Sequence, residues 1–237
     1  MAAKNKMSRK ELLESDPMVA FFEKVKAYAL DNIRQIAAIG LTLCIIIGGA
    51  GLWMTMKTRA ENKSQLLFYS ALTEMLQQTK NAVDTELKYN RAVEKFKNTS
   101  KEYPNTSAGI LSLLYAGNCS YYLKKHDDAT QYYHKFLTKS EGYLDYLKPY
   151  AFEGLGYVSE EKAEYEKAVE WFTKQKSEAG SSGEAMALLN LGRCYETLGK
   201  KVLACQSYKS FSELNPSSAF NEIVTLKTGV LCNANVN

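Results

Sequence analysis

The feature that most constrains this chain is a set of small and aromatic residues that recurs three times at the same offsets. Three segments align on a Leu/Ala-Gly pair: Ala116-Gly117, Leu155-Gly156 and Leu191-Gly192. Twelve residues after each glycine stands an alanine, Ala129, Ala168 and Ala204, and four residues further an aromatic, Tyr133, Phe172 and Tyr208. The residue three further along is Phe136, Gln175 and Phe211, so Gln175 alone departs from the pattern. Such offsets describe two antiparallel helices. The glycine of the first and the alanine of the second lie where the two axes approach most closely, and the aromatic one turn along fills the seam between them. A helix pair of this size cannot bury its own apolar faces, so the pairs must stack. The chain holds only four prolines, which permits long helices. The predicted fold class is all-α: an N-terminal transmembrane helix followed by a solenoid of antiparallel helix pairs.

These residues resemble the tetratricopeptide repeat family, whose consensus Leu-Gly, Tyr, Ala, aromatic and closing Pro fall at the same spacings. The glycines are 39 and 36 residues apart, near that family's repeat length with slightly longer joints. The third unit matches best, with Leu191, Gly192, Tyr195, Ala204, Tyr208, Phe211 and Pro216. The second has Leu155, Gly156, Tyr165, Ala168 and Phe172 but Ser159 in the tyrosine slot, and the first has His126 where an aromatic is usual. A degenerate unit precedes them, its second helix carrying Ala92, Phe96 and Pro104 at repeat offsets. Its first helix, about residues 59–80, lacks the glycine and is expected to continue from the membrane span. Ala219 to Leu231 reads as a helix capping the last open face.

Upstream, Ile36 to Met56 contains no charged residue. As a helix it would be roughly 31 Å long, about the thickness of a bilayer's hydrocarbon core. Arg34 precedes it, Lys57 and Arg59 follow it, and Trp53 lies near its distal end, where an indole favours the interface. A cleaved signal peptide has a shorter leader, and Leu43 before Cys44 is too large for a lipoprotein anchor, so the segment reads as an uncleaved signal anchor. The tail holds Lys4, Lys6, Arg9, Lys10, Lys24, Lys26 and Arg34, against Lys57, Arg59 and Lys63 beyond the span. This longer basic tail favours a cytoplasmic N-terminus and an external repeat domain. Gly40, Cys44 and Gly48 form a small-residue stripe at four-residue spacing. The expected organisation is a disordered tail (1–15), an amphipathic juxtamembrane helix (16–34) opened by Asp16-Pro17, a transmembrane helix (35–57), a degenerate helix pair (58–104), and three repeats plus a cap (105–237).

In tetratricopeptide domains the first helices line a concave face. Projecting the family's groove positions onto this chain selects Leu111, Leu114, Asn118, Tyr121 and Tyr122 in the first unit. The second unit contributes Tyr150, Glu153, Tyr157, Glu160 and Glu161, and the third Met186, Leu189, Arg193, Glu196 and Thr197. The expected surface is aromatic and aliphatic with an acidic patch in the middle, suited to extended or partly folded polypeptide. It lacks the several Lys, Arg and Asn of the carboxylate-clamp subclass.

Nothing points to catalysis, a cofactor, a metal, nucleic acid or a small-molecule substrate. The net charge of +4 is too mild for nucleic acid. His126 and His134 have no metal-ligand spacing around them, and there is no phosphate loop or nucleophile elbow. Glu160-Glu161 and Asp127-Asp128 read as solvated helix ends. Cys119, Cys194, Cys205 and Cys232 show no paired spacing. Cys194 and Cys205 fall on the two helices of one unit, where an oxidising space would allow a disulfide; buried free thiols are the expected state. Asn98, Asn105 and Asn118 begin glycosylation sequons, which carry meaning only in a eukaryotic secretory setting.

The whole layout resembles the bacterial YfgM-like family, ancillary subunits of the SecYEG translocon. That resemblance implies a cytoplasmic N-terminus, a periplasmic repeat domain in the bacterial inner membrane, and partners among the translocon, a periplasmic chaperone and exported clients. The function expected is an adaptor that docks exported or assembling envelope proteins. The alternatives are a scaffold subunit of a larger membrane complex and a cytosol-facing organelle-membrane receptor.

Overall fold

The computed structural model describes residues 17–233. The expected disordered tail and the Asp16 cap lie outside the described residues. Among those residues every regular element is a helix. In order they are α1 (Pro17–Asp31), α2 (Ile33–Leu76), α3 (Ala82–Glu102), α4 (Ser107–Tyr122), α5 (His126–Lys139), a 3₁₀ turn (Asp145–Leu147), α6 (Lys148–Glu161), α7 (Tyr165–Glu178), α8 (Ser181–Thr197), α9 (Lys201–Leu214) and α10 (Asn221–Asn233). The chain divides into two compact units between Thr58 and Arg59.

In the first unit, α1 buries no side chain, and Phe21, Phe22, Val25 and Tyr28 are all exposed. Asn32 separates α1 from α2 and returns its side-chain amide to the Tyr28 carbonyl at 2.9 Å. From Ile36 to Met56 every residue of α2 is exposed. Among the described residues α2 is the one helix long and apolar enough to cross a membrane, and none of its apolar window is buried. The hydroxyls of Thr42 and Thr55 donate to the carbonyls of Ala38 and Leu52, both at 2.8 Å, so they need no water. The Lys57 ammonium lies 5.5 Å from the centroid of the Trp53 ring.

The second unit is a row of helix pairs. The end of α2 packs on α3 through Phe68, Ala71, Ala92, Val93 and Phe96, and this cluster extends to Ala116 and Cys119 of α4. Ala71 and Ala92 are completely buried and supply small side chains in a pair without a seam glycine. The pairs α4–α5, α6–α7 and α8–α9 follow, and α10 packs on α9. The longer first period comes from the joint at residues 140–147, which contains the 3₁₀ turn and buries Leu144.

The three seams are built alike. Ala129, Ala168 and Ala204 are fully buried, and Tyr133, Phe172 and Tyr208 are at most 2% exposed. Each ring lies directly against the glycine of the opposite helix. A methyl group at Gly117 would stand 2.6 Å from Tyr133 Cε1, and one at Gly192 would stand 2.5 Å from Tyr208 Cε1. One at Gly156 would overlap the Phe172 ring, and Gly154 meets the Tyr133 ring of the preceding pair in the same way. Tyr133 therefore fills both its own seam and the joint to the next repeat.

The turns inside the pairs also repeat. Lys124, Ala163 and Gly199 have φ of 57°, 58° and 69°. In each, the left-handed residue donates its N–H to the carbonyl three residues back instead of four, and the next residue donates to the carbonyl five residues back. The bonds are Lys124 to Tyr121 and Lys125 to Ser120, Ala163 to Glu160 and Glu164 to Ser159, and Gly199 to Glu196 and Lys200 to Tyr195. This is the Schellman termination, and only the third copy uses the glycine it favours.

The cap corrects the cysteine expectation. Cys205 is disulfide-bonded to Cys232, with a Cα–Cα distance of 5.4 Å, and not to Cys194. Cys194 faces α7 in the cluster of Ala168, Phe172 and Leu191, whereas Cys205 faces α10 beside Val224 and Leu231. Two cysteines on one helix pair thus point to opposite neighbours. Cys119 and Cys194 are buried free thiols, and burial raises both thiol pKa values, that of Cys119 to about 12. The cap turns Val224 and Leu231 inward but leaves Ile223, Leu226 and Val230 exposed.

Two stability measurements follow from the seams and turns. Gly156→Leu should destabilise the full chain by about 1–3 kcal/mol through overpacking. Gly180→Ala, where nothing lies within 4 Å, should leave the urea midpoint nearly unchanged. Ala163→Gly should raise stability by about 1 kcal/mol, because it relieves a left-handed alanine; an unchanged or lower midpoint would contradict the turn assignment.

Candidate partner-binding groove

The first helices of successive pairs are neighbours: α4 meets α6, and α6 meets α8. Side chains on this row form a ladder of rings. Tyr89 of α3 stacks on Tyr122 with centroids 5.0 Å apart; Tyr122 meets Tyr121 at 6.1 Å, and Tyr121 meets Tyr157 at 6.2 Å. The Arg193 guanidinium then lies 5.8 Å from the Tyr157 centroid. The ladder crosses three helix pairs, and Tyr122 and Tyr150 expose 64% and 58% of their area beside it. Stacking of neighbours explains why a chain can keep so many tyrosines half-exposed: each ring loses part of its water-facing area to the next.

The residues projected onto the groove do not all reach it. Asn118, Tyr121, Tyr122, Tyr150, Glu153 and Tyr157 line one cavity of about 220 Å³, together with the Tyr133 ring and Gly154. Tyr150, Glu153 and Met186 line an adjoining cavity of about 520 Å³ with Tyr146, Pro149, Gln175, Ala179, Gly180 and Gly183. Leu114 is a correction: it is 4% exposed and belongs to the core between α4, α5 and α6. Leu111 and Leu189 are half-buried and pack against core clusters. Neighbouring pairs close over aliphatic side chains of that length. Glu161 and Thr197 are exposed at the helix ends.

One carboxylate of the central acidic patch, Glu160, is neutralised from within, which the residue types alone did not reveal. Glu160 accepts a forked pair of bonds from Arg193, Nε at 2.9 Å and Nη2 at 2.5 Å, and the Cys194 thiol at 3.4 Å. Glu196 accepts from Tyr208 at 2.9 Å and from Lys227 of the cap at 2.5 Å. Glu153 differs. It accepts from the Tyr157 hydroxyl at 3.2 Å, and burial raises its pKa, partly offset by the Tyr157 and Gln175 hydrogen bonds. The Tyr157 hydroxyl is pushed up to about 12 by burial and then by the Glu153 charge. It also accepts from the Asn190 amide at 3.3 Å, so a polar chain runs from α6 to α8. Tyr133 anchors the near end by donating to Asn118 Oδ1 at 2.9 Å.

Sequence reasoning missed Tyr89, Tyr146, Asn190 and Gln175 as groove neighbours. Tyr89 lies on a second helix and Tyr146 in a joint, outside the projected positions. Gln175 was visible only as a break in the aromatic pattern. Elsewhere, His126 rests against Tyr121 with centroids 6.1 Å apart, and His134 against Trp171 at 5.6 Å. Among the described residues no three His, Cys, Asp or Glu cluster as metal ligands would.

The Arg193–Glu160 pair can be measured. Arg193→Leu should destabilise the chain more than the Arg193→Leu/Glu160→Gln double variant, since the single change leaves a half-buried carboxylate without its cation. A coupling of about 1 kcal/mol is expected, because Arg193 is nearly half-exposed; additive effects would show that the fork contributes nothing.

Comparison with known proteins bears on the repeats. The tetratricopeptide repeat family model matches residues 111–140 and 186–218. The unmatched middle pair is the one carrying Ser159 and Gln175. No curated protein matches the chain by sequence. Among solved structures, that of MamA is similar, with 19% identity, a TM-score of 0.52, and coverage of 67% of this chain and 87% of that one. The chain therefore carries tetratricopeptide repeats in a helical solenoid similar to that of MamA, and repeats of this kind serve as scaffolds for binding other proteins.

Proposed function

We propose that this protein is a membrane-anchored adaptor whose groove docks exported or assembling envelope proteins near the translocon. In this reading α2 crosses the bacterial inner membrane once, the N-terminus is cytoplasmic and the repeats are periplasmic. The observation that carries the binding role is the ring ladder from Tyr89 to Arg193, with Tyr122 and Tyr150 exposed beside it. Rigid aromatic rings offer apolar contact at low entropic cost, as protein-binding surfaces require. The Cys205–Cys232 disulfide supports an oxidising compartment for the repeats, as the periplasm is. The resemblance of the layout to YfgM-like translocon subunits supports a periplasmic chaperone and translocating chains as partners.

A scaffold subunit of a larger membrane complex is the second reading. It is favoured by the exposed apolar face of α10, formed by Ile223, Leu226 and Val230. An aliphatic row of that kind suits a permanent partner.

Topology and capture separate these readings. A reporter that folds only under oxidation, fused after Asn237, should be active, and site-specific crosslinkers at the exposed positions Tyr146 and Glu161 should trap many transient exported chains. Tyr122→Ala with Tyr150→Ala should cut that capture about tenfold or more with helicity unchanged. An inactive reporter ends the periplasmic reading. Stoichiometric recovery of a single complex, insensitive to both tyrosines, would favour the scaffold.

A further inference from the structure

The cavity between the second and third repeats differs chemically from the rest of the groove. Three glutamates of the inner row are partly or largely withdrawn from water, and two of them hold a cation: Glu160 has Arg193 and Glu196 has Lys227. Glu153 has none among the described residues; its partners are the Tyr157 hydroxyl and the Gln175 side chain. Beside it, Gln175 is 3% exposed and its Oε1 has no hydrogen-bond partner. Gln175 occupies the position that holds a fully buried Phe136 or Phe211 in the other two repeats. An amide there costs stability unless something bonds to it. Both side chains line the same cavity of about 520 Å³, whose remaining walls include Tyr146, Tyr150 and Met186.

We infer that this cavity is a subsite for the basic side chain of a bound polypeptide, a lysine or arginine held by the Glu153 carboxylate and the Gln175 amide oxygen. The two acceptors ask for one positive charge and at least two N–H donors, which ammonium and guanidinium groups both supply. The rings of Tyr146 and Tyr150, 70% and 58% exposed, offer a surface for the aliphatic stem and for cation–π attraction. A neutral donor would leave the carboxylate uncompensated, and an apolar group would leave both acceptors unbonded. Where the other two groove carboxylates are neutralised by the chain itself, here the partner brings the cation.

This inference rests on the groove reading, and one experiment separates the two. The full chain in lipid nanodiscs is titrated against fluorescein-labelled peptides of one leucine- and tyrosine-flanked host sequence, varied at a central lysine, arginine, norleucine or glutamate. Lysine and arginine peptides should bind about tenfold or more tightly than the norleucine peptide. Glu153→Gln, which keeps the shape, and Gln175→Phe, which restores the residue type of the other repeats, should each bring them down to the norleucine level. Glu161→Gln, at an exposed carboxylate outside the cavity, should leave the preference intact. Equal binding of lysine and norleucine peptides, or a preference surviving both variants, overturns the subsite while the groove stands. Absence of binding by every peptide overturns the groove reading and the subsite with it.

Discussion

The repeat domain depends on one close approach, the contact of a glycine with an aromatic ring. Gly117 with Tyr133, Gly156 with Phe172 and Gly192 with Tyr208 set the separation of each helix pair, because a single added methyl would enter the ring. Gly154 repeats the contact between pairs, so Tyr133 fixes both its own pair and the position of α6. Everything on the inner row inherits its spacing from these contacts. The rings of Tyr121 and Tyr157 lie 6.2 Å apart across a repeat boundary because α4 and α6 are held as neighbours. Interiors packed this closely transmit position well, since they have little room to adjust.

Electrostatics in the groove follows the same architecture. Residues 33 apart, Glu160 and Arg193, face each other because α6 and α8 are adjacent and in register. The cap does the same for Glu196 through Lys227. Two carboxylates of the inner row, Glu160 and Glu196, thereby carry their own cations in the fold. Glu153 stands out against that background, beside a glutamine where the neighbouring repeats place phenylalanine. A natural seam that gives up a buried ring for an amide sacrifices packing, and such exceptions tend to mark places where function competes with stability.

The two compact units satisfy opposite solvent demands. The apolar run of α2 exposes isoleucines, leucines and Trp53 and turns its threonine hydroxyls back onto its own carbonyls. The repeat unit buries its seam rings and the thiols of Cys119 and Cys194 and exposes charge. Its one covalent tie joins α9 to α10, where a terminal helix has a partner on only one side.

The sequence by itself determined the helical pairs, their number and their seams, because glycine, alanine and aromatic residues at fixed offsets are local consequences of how two helices touch. It also determined the apolar helix, since an uncharged run of that length is legible without any contact. The tertiary structure decided what depends on neighbours distant in the chain. Cys205 joined Cys232 because the two cysteines of the third pair face opposite sides. Leu114 sank into the core because α6 closes over it. Glu160 was neutralised by a residue one repeat away, and Gln175 changed from a break in a pattern to the wall of a cavity. Periodicity fixes which face a residue occupies, whereas burial, pairing and charge compensation are set by what the next repeat brings against that face.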